Sequence, residues 1–335
     1  MSDIAAPYLI YLGDTQMPEM AKTGAGLAYW RPERCMGQFR EPGCKADIGL
    51  PDMTITEAAN QGAKTLVIGT AVPGGRLPPH WVNRLVEAME NGMDIASGLH
   101  VPLATTPELA DAARRTKRQL HDVRLARQAF PIATGKPRSG HRLLTMGTDC
   151  AIGKKYTALA IHRELVKRGI AADFRATGQT GVLIDGRGFA VDAIVSDFVA
   201  GAVETLAPAA LDDHWDIIEG QGSLVHPAYA GVTLGLLHGA QPDTFVVCHE
   251  PGRRELSAFP GFPTAGIAEL INMTVMLGRA VSPNIRCAGL SINTSQMDEA
   301  AARAELDFLT RMHKVPAVDP VRFGVEVLVD GLLKV

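Results

Sequence analysis

The chain has 335 residues, 46% of them hydrophobic and 21% charged, with a formal net charge of -3 at pH 7. This composition provides core for two domains or one large one and excludes a disordered chain. The charge balance gives no whole-chain reason to expect nucleic acid as a partner, and five scattered cysteines in so long a chain suit a reduced setting better than a disulfide scaffold.

The first residues lack a basic stretch followed by an apolar one, so no secretory signal is expected, and no apolar run is long enough to span a membrane. A cytoplasmic protein with no membrane partner is the resulting expectation. Tyr8–Leu12 reads as a strand ending at Gly13. The next fifty residues show little periodicity and read as a long irregular segment, in which Lys22, Thr23, Arg31, Arg34 and Arg40 are candidates to close over a cleft. Thr56–Gly62 predicts a short helix, Lys64–Gly69 a buried strand, His80–Met89 a helix and Met93–Ser97 another strand. Strands alternating with helices predict an α/β architecture with a parallel sheet. A basic helix is expected from about Thr106 to Ala129. Its Arg114, Arg115, Lys117, Arg118, Arg124 and Arg127 form a solvated face or, on a sharper reading, an anion-steering or oligomer-contact surface. Residues 131–140 are rich in Pro, Gly and Ser and read as a linker. Beyond it, strands are expected at 142–146, 171–176, 215–219, 244–248 and 286–292. Helices are expected to start near Gly153, Asp197, Val232, Thr264 and Asp298.

The densest signal follows the strand at 142–146. Gly147, Thr148, Asp149, Cys150, Ala151, Ile152, Gly153, Lys154, Lys155, Tyr156 and Thr157 join that strand to an amphipathic helix. Strand, glycine-bounded loop, Gly-Lys and helix together make a phosphate cradle. Backbone N–H groups and the positive end of the helix dipole face the anion. The spacing departs from the usual loop in two ways. Thr148 stands where the first glycine belongs, and Lys155 replaces the hydroxyl residue that ordinarily holds Mg²⁺. A phosphate-bearing ligand is expected, in a loop poorly equipped for metal-assisted phosphoryl transfer.

Ligands of open parallel sheets bind beyond the carboxyl ends of the strands. Those ends carry Arg175 with Gln179 and Thr180; Glu219 with Gln221 and Ser223; His249 and Glu250 with Arg253 and Arg254; and Asn293 to Gln296. A Gly-rich strand end is ordinarily no more than a βα turn. Glu219 reads as a solvated turn residue, a metal ligand or a general base. Arg175 suits capture of a carboxylate, and Arg253 and Arg254 suit an anionic substrate. Cys150 is more often a small filler than a nucleophile. Cys35 and Cys44 lack zinc-ligand spacing, and no metal site is expected.

The loop at 147–154 together with Glu219–Ser223 resembles the dethiobiotin-synthetase-like branch of P-loop proteins. A wider set covers almost the whole chain: 147–154, Ala176–Gly181, Ser196–Gly201, Glu219–Leu224, His226–Tyr229, Gly231–Gly239 and Cys248–Pro251. This set resembles a bacterial family first described only as a domain of unknown function, which includes the DgcN-type D-glutamate N-acetyltransferases. The resemblance implies a Rossmann-like N-terminal domain over 1–135 and a P-loop NTPase-like parallel-sheet domain over 136–335. It also implies transfer of acetyl from acetyl-CoA to the amine of D-glutamate. A homo-oligomer, as a dimer, is the ordinary expectation for a metabolic enzyme. On the acetyl-transfer reading residues 147–157 hold the CoA pyrophosphate and Mg²⁺ is not required. Glu219 or His249 is the general base, and Gln179, Gln221 or backbone N–H groups steady the oxyanion. Arg175 with Arg253 or Arg254 holds the glutamate carboxylates, and Thr180 and Ser223 line the substrate. The alternatives are an ATP- and Mg²⁺-dependent ligase or kinase using Lys154, Asp149 and Glu219, and a CoA- or nucleotide-sensing protein without turnover.

Overall fold

A computed structural model describes residues 4–125 and 128–333. The chain forms two compact units. The first comprises Met1–Arg127 with Gly178–Ala193, the second Gln128–Thr177 with Ile194–Val335.

In the first unit the chain runs β1 (Tyr8–Gly13), α1 (Lys22–Trp30), β2 (Cys35–Arg40), α2 (Ile55–Asn60), β3 (Thr65–Ile68), α3 (Val82–Glu90), β4 (Asp94–Ser97), α4 (Pro107–Thr116) and β5 (Leu120–Asp122). The strands form one parallel sheet in the order β2-β1-β3-β4-β5. β1 and β3 are buried along their whole length, as expected of strands covered by helices on both faces. Leu9, Tyr11, Leu66 and Ile95 pack with Leu85 and Met89 of α3 and Leu109 of α4. α2 starts at a capping box in which Thr54 and Glu57 satisfy each other's backbone N–H groups.

Two expectations fail here. The supposed irregular stretch after β1 contains α1 and β2. Gly24 and Gly26 are buried in α1, where small residues replace the apolar stripe that periodicity looks for. The segment's arginines are occupied locally: Arg40 pairs with Asp52, and Arg31 bonds Glu33 and the carbonyl of Ile184. The basic helix ends at Thr116, because Lys117 adopts a left-handed conformation with φ 57° and the chain turns into β5. Arg114 and Arg115 pair with Asp111 and Glu90 on the surface. Arg124 is buried against Asp192 and the carbonyl of Gly98. Arg127 lies outside the described residues.

The second unit begins with β6 (His141–Gly147), α5 (Lys154–Lys167) and β7 (Ala172–Arg175). Next comes α6 (Gln179–Asp185), a helix that belongs to the first unit: Thr180 hydrogen-bonds Thr23 at 3.0 Å. The second unit resumes with α7 (Ser196–Leu206), β8 (Trp215–Ile218), α8 (Ala230–Ala240), β9 (Thr244–His249), β10 (Glu255–Leu256), β11 (Phe259–Pro263), α9 (Ile267–Gly278), β12 (Arg286–Ile292), α10 (Glu299–His313), β13 (Ala317–Val318) and α11 (Glu326–Leu333). Its parallel sheet has the order β13-β12-β9-β6-β8-β7, and β10 and β11 form a separate antiparallel hairpin. From β6 the chain first runs to the edge strand β7 and returns to β8 beside β6, then crosses to β9 on the other side. The carboxyl end of β6 is therefore the switch point of the sheet, where ligands of such sheets bind.

Candidate active site

Strand register assembles the site. Gly147 stands opposite Cys248, so the loop after β6 starts beside His249. Arg175 stands opposite Ile218, so Thr177 and Glu219 leave the sheet side by side. Their pairing is explicit: Glu219 Oε2 accepts the Thr177 N–H at 3.1 Å, and Thr177 Oγ1 accepts from Gln221 Nε2 at 3.2 Å.

The loop wraps a lysine. Ala151 and Gly153 take positive φ angles of 55° and 109°, which curls successive amides inward at the start of α5. Lys154 is only 7% exposed, and its Nζ donates to the Asp149 carbonyl at 2.6 Å. Burial pushes its pKa below the usual lysine range, while Cys150, Cys248, Asp149 and Glu219 pull it back up. The neighbouring glycines make room for this side chain. A Cβ on Gly220 would stand 1.6 Å from the Thr145 carbonyl oxygen and 3.1 Å from Lys154 Cδ, and one on Gly147 would stand 3.0 Å from Lys154 Nζ.

Three other loop residues are tied down. The Thr148 hydroxyl meets His249 Nδ1 at 3.0 Å. Thr157 contacts Ser291 Oγ at 2.7 Å and the Gly153 carbonyl at 3.0 Å, so its hydroxyl is engaged beneath the loop. The Asp149 carboxylate is fully buried. Oδ1 accepts the Cys150 N–H at 2.6 Å, while Oδ2 accepts from Arg253 at 2.9 Å and from the Ser257 N–H at 2.8 Å. Arg253 also pairs with Glu250 at 2.7 Å. Asp149 thus fastens the β10–β11 hairpin to the loop. His249 is half-buried, and desolvation together with Arg253 and His313 lowers its pKa, so the imidazole is neutral at pH 7.

The expected site residues divide. Residues 147–157, Glu219, Gln221, His249 and Arg253 surround the carboxyl ends of β6, β8 and β9. Ser223 is buried there, and its hydroxyl has no partner among the described residues. Arg175 is engaged elsewhere: its guanidinium meets Asp216 at 2.7 Å and Asp173 at 3.0 Å. Gln179 and Thr180 lie on α6 in the first unit, where Gln179 packs against Gly98. Two features are given no role by the sequence. One is the buried His226, which stands there only as part of the motif His226–Tyr229. The other is a cavity of about 420 Å³ beside the loop, lined among others by Gly153, Tyr156, Asn293, Asp319 and Arg322. Its wall is braced by Asp319, which accepts from Thr294, and by Arg322, which donates to the carbonyls of Thr294 and Met297.

Comparison with known proteins agrees with this architecture. Residues 131–329 match the Domain of unknown function (DUF1611_C) P-loop domain, and residues 39–126 match the Domain of unknown function (DUF1611_N) Rossmann-like domain. A D-glutamate N-acetyltransferase of Tritonibacter scottomollicae is 47% identical over 99% of this chain and 100% of its own. Another, from a Pseudoalteromonas species, is 43% identical over 98% of this chain and 99% of its own. The crystal structure of a DUF1611 family protein from Anabaena variabilis superposes with a TM-score of 0.90 at 31% identity, covering 99% of this chain and all of that one. With both halves matched and relatives alike from end to end, the chain belongs to the DUF1611 family, a Rossmann-like domain joined to a P-loop domain.

Proposed function

We propose that the protein transfers acetyl from acetyl-CoA to the amine of D-glutamate. The observation that carries this reading is the 47% and 43% identity, across essentially the whole chain, to proteins named for that activity. The chemistry of the loop is consistent with it. CoA needs its pyrophosphate held, not cleaved. A cradle of amides with a buried lysine does that with no hydroxyl beside the lysine for Mg²⁺. The carboxylates a metal would use are engaged by N–H donors: Asp149 by three, Glu219 by the Thr177 amide. The cavity beside Gly153 and Tyr156 has the size of a small-molecule site and takes the nucleoside end of CoA.

The amine must lose a proton as it attacks the thioester carbonyl. His249 is the better base of the two expected candidates, because its imidazole is neutral at pH 7 and half-buried. With Nδ1–H donating to Thr148, Nε2 presents a lone pair. The amine attacks the carbonyl, Nε2 accepts its proton, and the collapsing tetrahedral adduct expels the CoA thiolate. With the pyrophosphate on the loop, the thioester reaches His249 only if the pantetheine arm folds back across the end of β9. Glu219 balances the buried Lys154. Arg253 stays with Asp149 and Glu250, which leaves Arg254, exposed at the foot of the hairpin, for a glutamate carboxylate.

The test is an assay of free thiol from acetyl-CoA against a panel of D- and L-amino acids, with EDTA present. Thiol release with D-glutamate in EDTA is expected. No release with any member of the panel discards the acetyltransferase, and activity that disappears with EDTA and returns with Mg²⁺ discards the metal-free loop.

A further inference from the structure

His226 lies in the turn between β8 and α8, with no exposed surface. Its backbone N–H closes the turn onto the Ser223 carbonyl at 3.1 Å. The ring is stacked on Tyr229, with centroids 4.4 Å apart, and meets the edge of Phe259 at 4.7 Å. An imidazole clamped on two sides does not rotate freely. Its Nδ1 accepts the Ala228 N–H at 3.2 Å. Desolvation pushes the ring below the ordinary histidine range; the Asp149 carboxylate opposes this and the Lys154 charge adds to it, and the net shift is downward, so the ring is neutral at pH 7. A neutral imidazole whose Nδ1 is an acceptor carries its proton on Nε2. That N–H has no partner among the described residues. A buried donor left unmade is costly, and native structures retain few of them.

The ring stands beside the loop. A ring nitrogen of His226, the Cys150 Sγ and an Asp149 carboxylate oxygen all lie within 4.8 Å of one another. Three readings of this trio compete. A metal ion is disfavoured, because the Asp149 oxygens already accept from Cys150, Arg253 and Ser257, and a protonated Nε2 has no lone pair to give. A Cys150 nucleophile activated by His226 fails on the same proton, since an N–H cannot take one from the thiol. An acceptor brought by the ligand would satisfy the N–H.

We propose that His226 Nε2–H is a fixed hydrogen-bond donor to a phosphate oxygen of the ligand held by the loop at 147–154. This rests on the CoA reading above, with the pyrophosphate as the group bound. Phosphate is preferred to the thioester carbonyl because Cys150, the neighbour of His226, is part of the loop that curls around the anion, and the thioester lies a pantetheine arm away. The donor adds to Lys154 in a loop that has Lys155 where others place a Mg²⁺-binding hydroxyl.

Two measurements on the full-length protein test this. In ¹⁵N-imidazole spectra the free protein should show His226 protonated at Nε2 only, and saturation with inorganic pyrophosphate in EDTA should move the Nε2 proton downfield and slow its exchange. By calorimetry in EDTA, His226→Ala should weaken CoA and pyrophosphate by the same factor, about 10- to 100-fold for a bond to a charged acceptor. His226→Gln, which keeps an N–H near the same place, should restore most of the loss. An Nε2 proton indifferent to saturating pyrophosphate overturns the proposal, as does His226→Ala binding both ligands like the wild type. A loss confined to CoA overturns the phosphate assignment. The loop itself is checked by Lys154→Ala: if that variant binds CoA undiminished, the loop is not the anchor, and the CoA reading falls together with the inference built on it.

Discussion

Single residues in this site are fixed by what surrounds them, and substitution should expose the difference. Gly220 and Gly231 are both glycines near the candidate site, in opposite situations. A Cβ on Gly220 meets the Thr145 carbonyl at 1.6 Å, whereas one on Gly231 meets nothing within 4 Å. Gly220→Ala must push the end of β8 away from β6 and crowd Lys154. It should cost about 1–3 kcal/mol of stability and abolish CoA binding. Gly231→Ala lies in the first turn of α8 and should be neutral or stabilising by less than about 1 kcal/mol. Denaturant midpoints and CoA titration of the two variants check this contrast. His249 makes a separate prediction, because anchor and base predict different kinetics. As the base, His249→Ala should lower kcat about 100-fold or more with little change in the KM for acetyl-CoA. In the wild type, kcat/KM should rise as pH climbs through a value below the ordinary histidine pKa and then level off, since activity needs the neutral ring. A KM effect with kcat intact would make His249 part of the CoA anchor instead.

Elements differ in how much of them the sequence disclosed, and the hairpin shows why. β3 and β9 are nearly continuous apolar runs, and β6 and β8 are short apolar runs broken by single polar or charged residues; all four lead into Gly or polar residues, as buried parallel strands at a ligand cleft do. The loop after β6 was legible for the same reason: its glycines and Lys154 are local. The β10–β11 hairpin was not, because four of the five β11 residues are exposed and its holds on the site, the Asp149 carboxylate and the His226 ring, lie far upstream in the chain. The role of His226 was equally hidden. Its meaning depends on a backbone amide two residues on and on aromatic neighbours, one of them far along the chain. Arg175 failed for a related reason: a strand-end arginine looks available until the facing strand presents Asp216. The hairpin's dependence on Asp149 can be measured. Asp149→Asn keeps an acceptor for the Cys150 N–H but loses the ion pair with Arg253. Amide hydrogen exchange over 253–264 should speed up in this variant more than exchange in β6 or β9. Equal acceleration in all three would mean that the carboxylate supports the whole sheet end and does not specifically fasten the hairpin.

At the scale of the whole molecule, the neutral buried histidines set the acid limit of stability. Burial holds His226 and His249 below the ordinary value of 6.5 in the folded chain. Well above pH 6.5 both rings are neutral whether the chain is folded or not, and they contribute no pH dependence. As pH falls through 6.5 the unfolded chain takes up protons that the folded chain refuses. Stability therefore drops with falling pH, at up to about 1.4 kcal/mol per pH unit for each ring, until the folded rings titrate in turn. Paired carboxylates act lower. Glu164, held down by Arg168, and Glu204, held down by the amides of Thr134 and Gly135 against the opposing effect of its burial, contribute stability above their unfolded value of 4.5 that is lost below it. The interval from about pH 6.5 down to 4.5 thus belongs to the histidines. Trp215 lies in the second unit, and Trp30 and Trp81 in the first. A protein with Trp30→Phe and Trp81→Phe reports urea unfolding of the second unit alone. Its midpoint should fall steadily between pH 6.5 and 5, and His226→Gln should flatten that slope by removing one proton uptake. A midpoint flat across this interval would mean that the two rings titrate alike in the folded and unfolded chain. His226 would then titrate as a solvated ring does, against the desolvation that its complete burial implies.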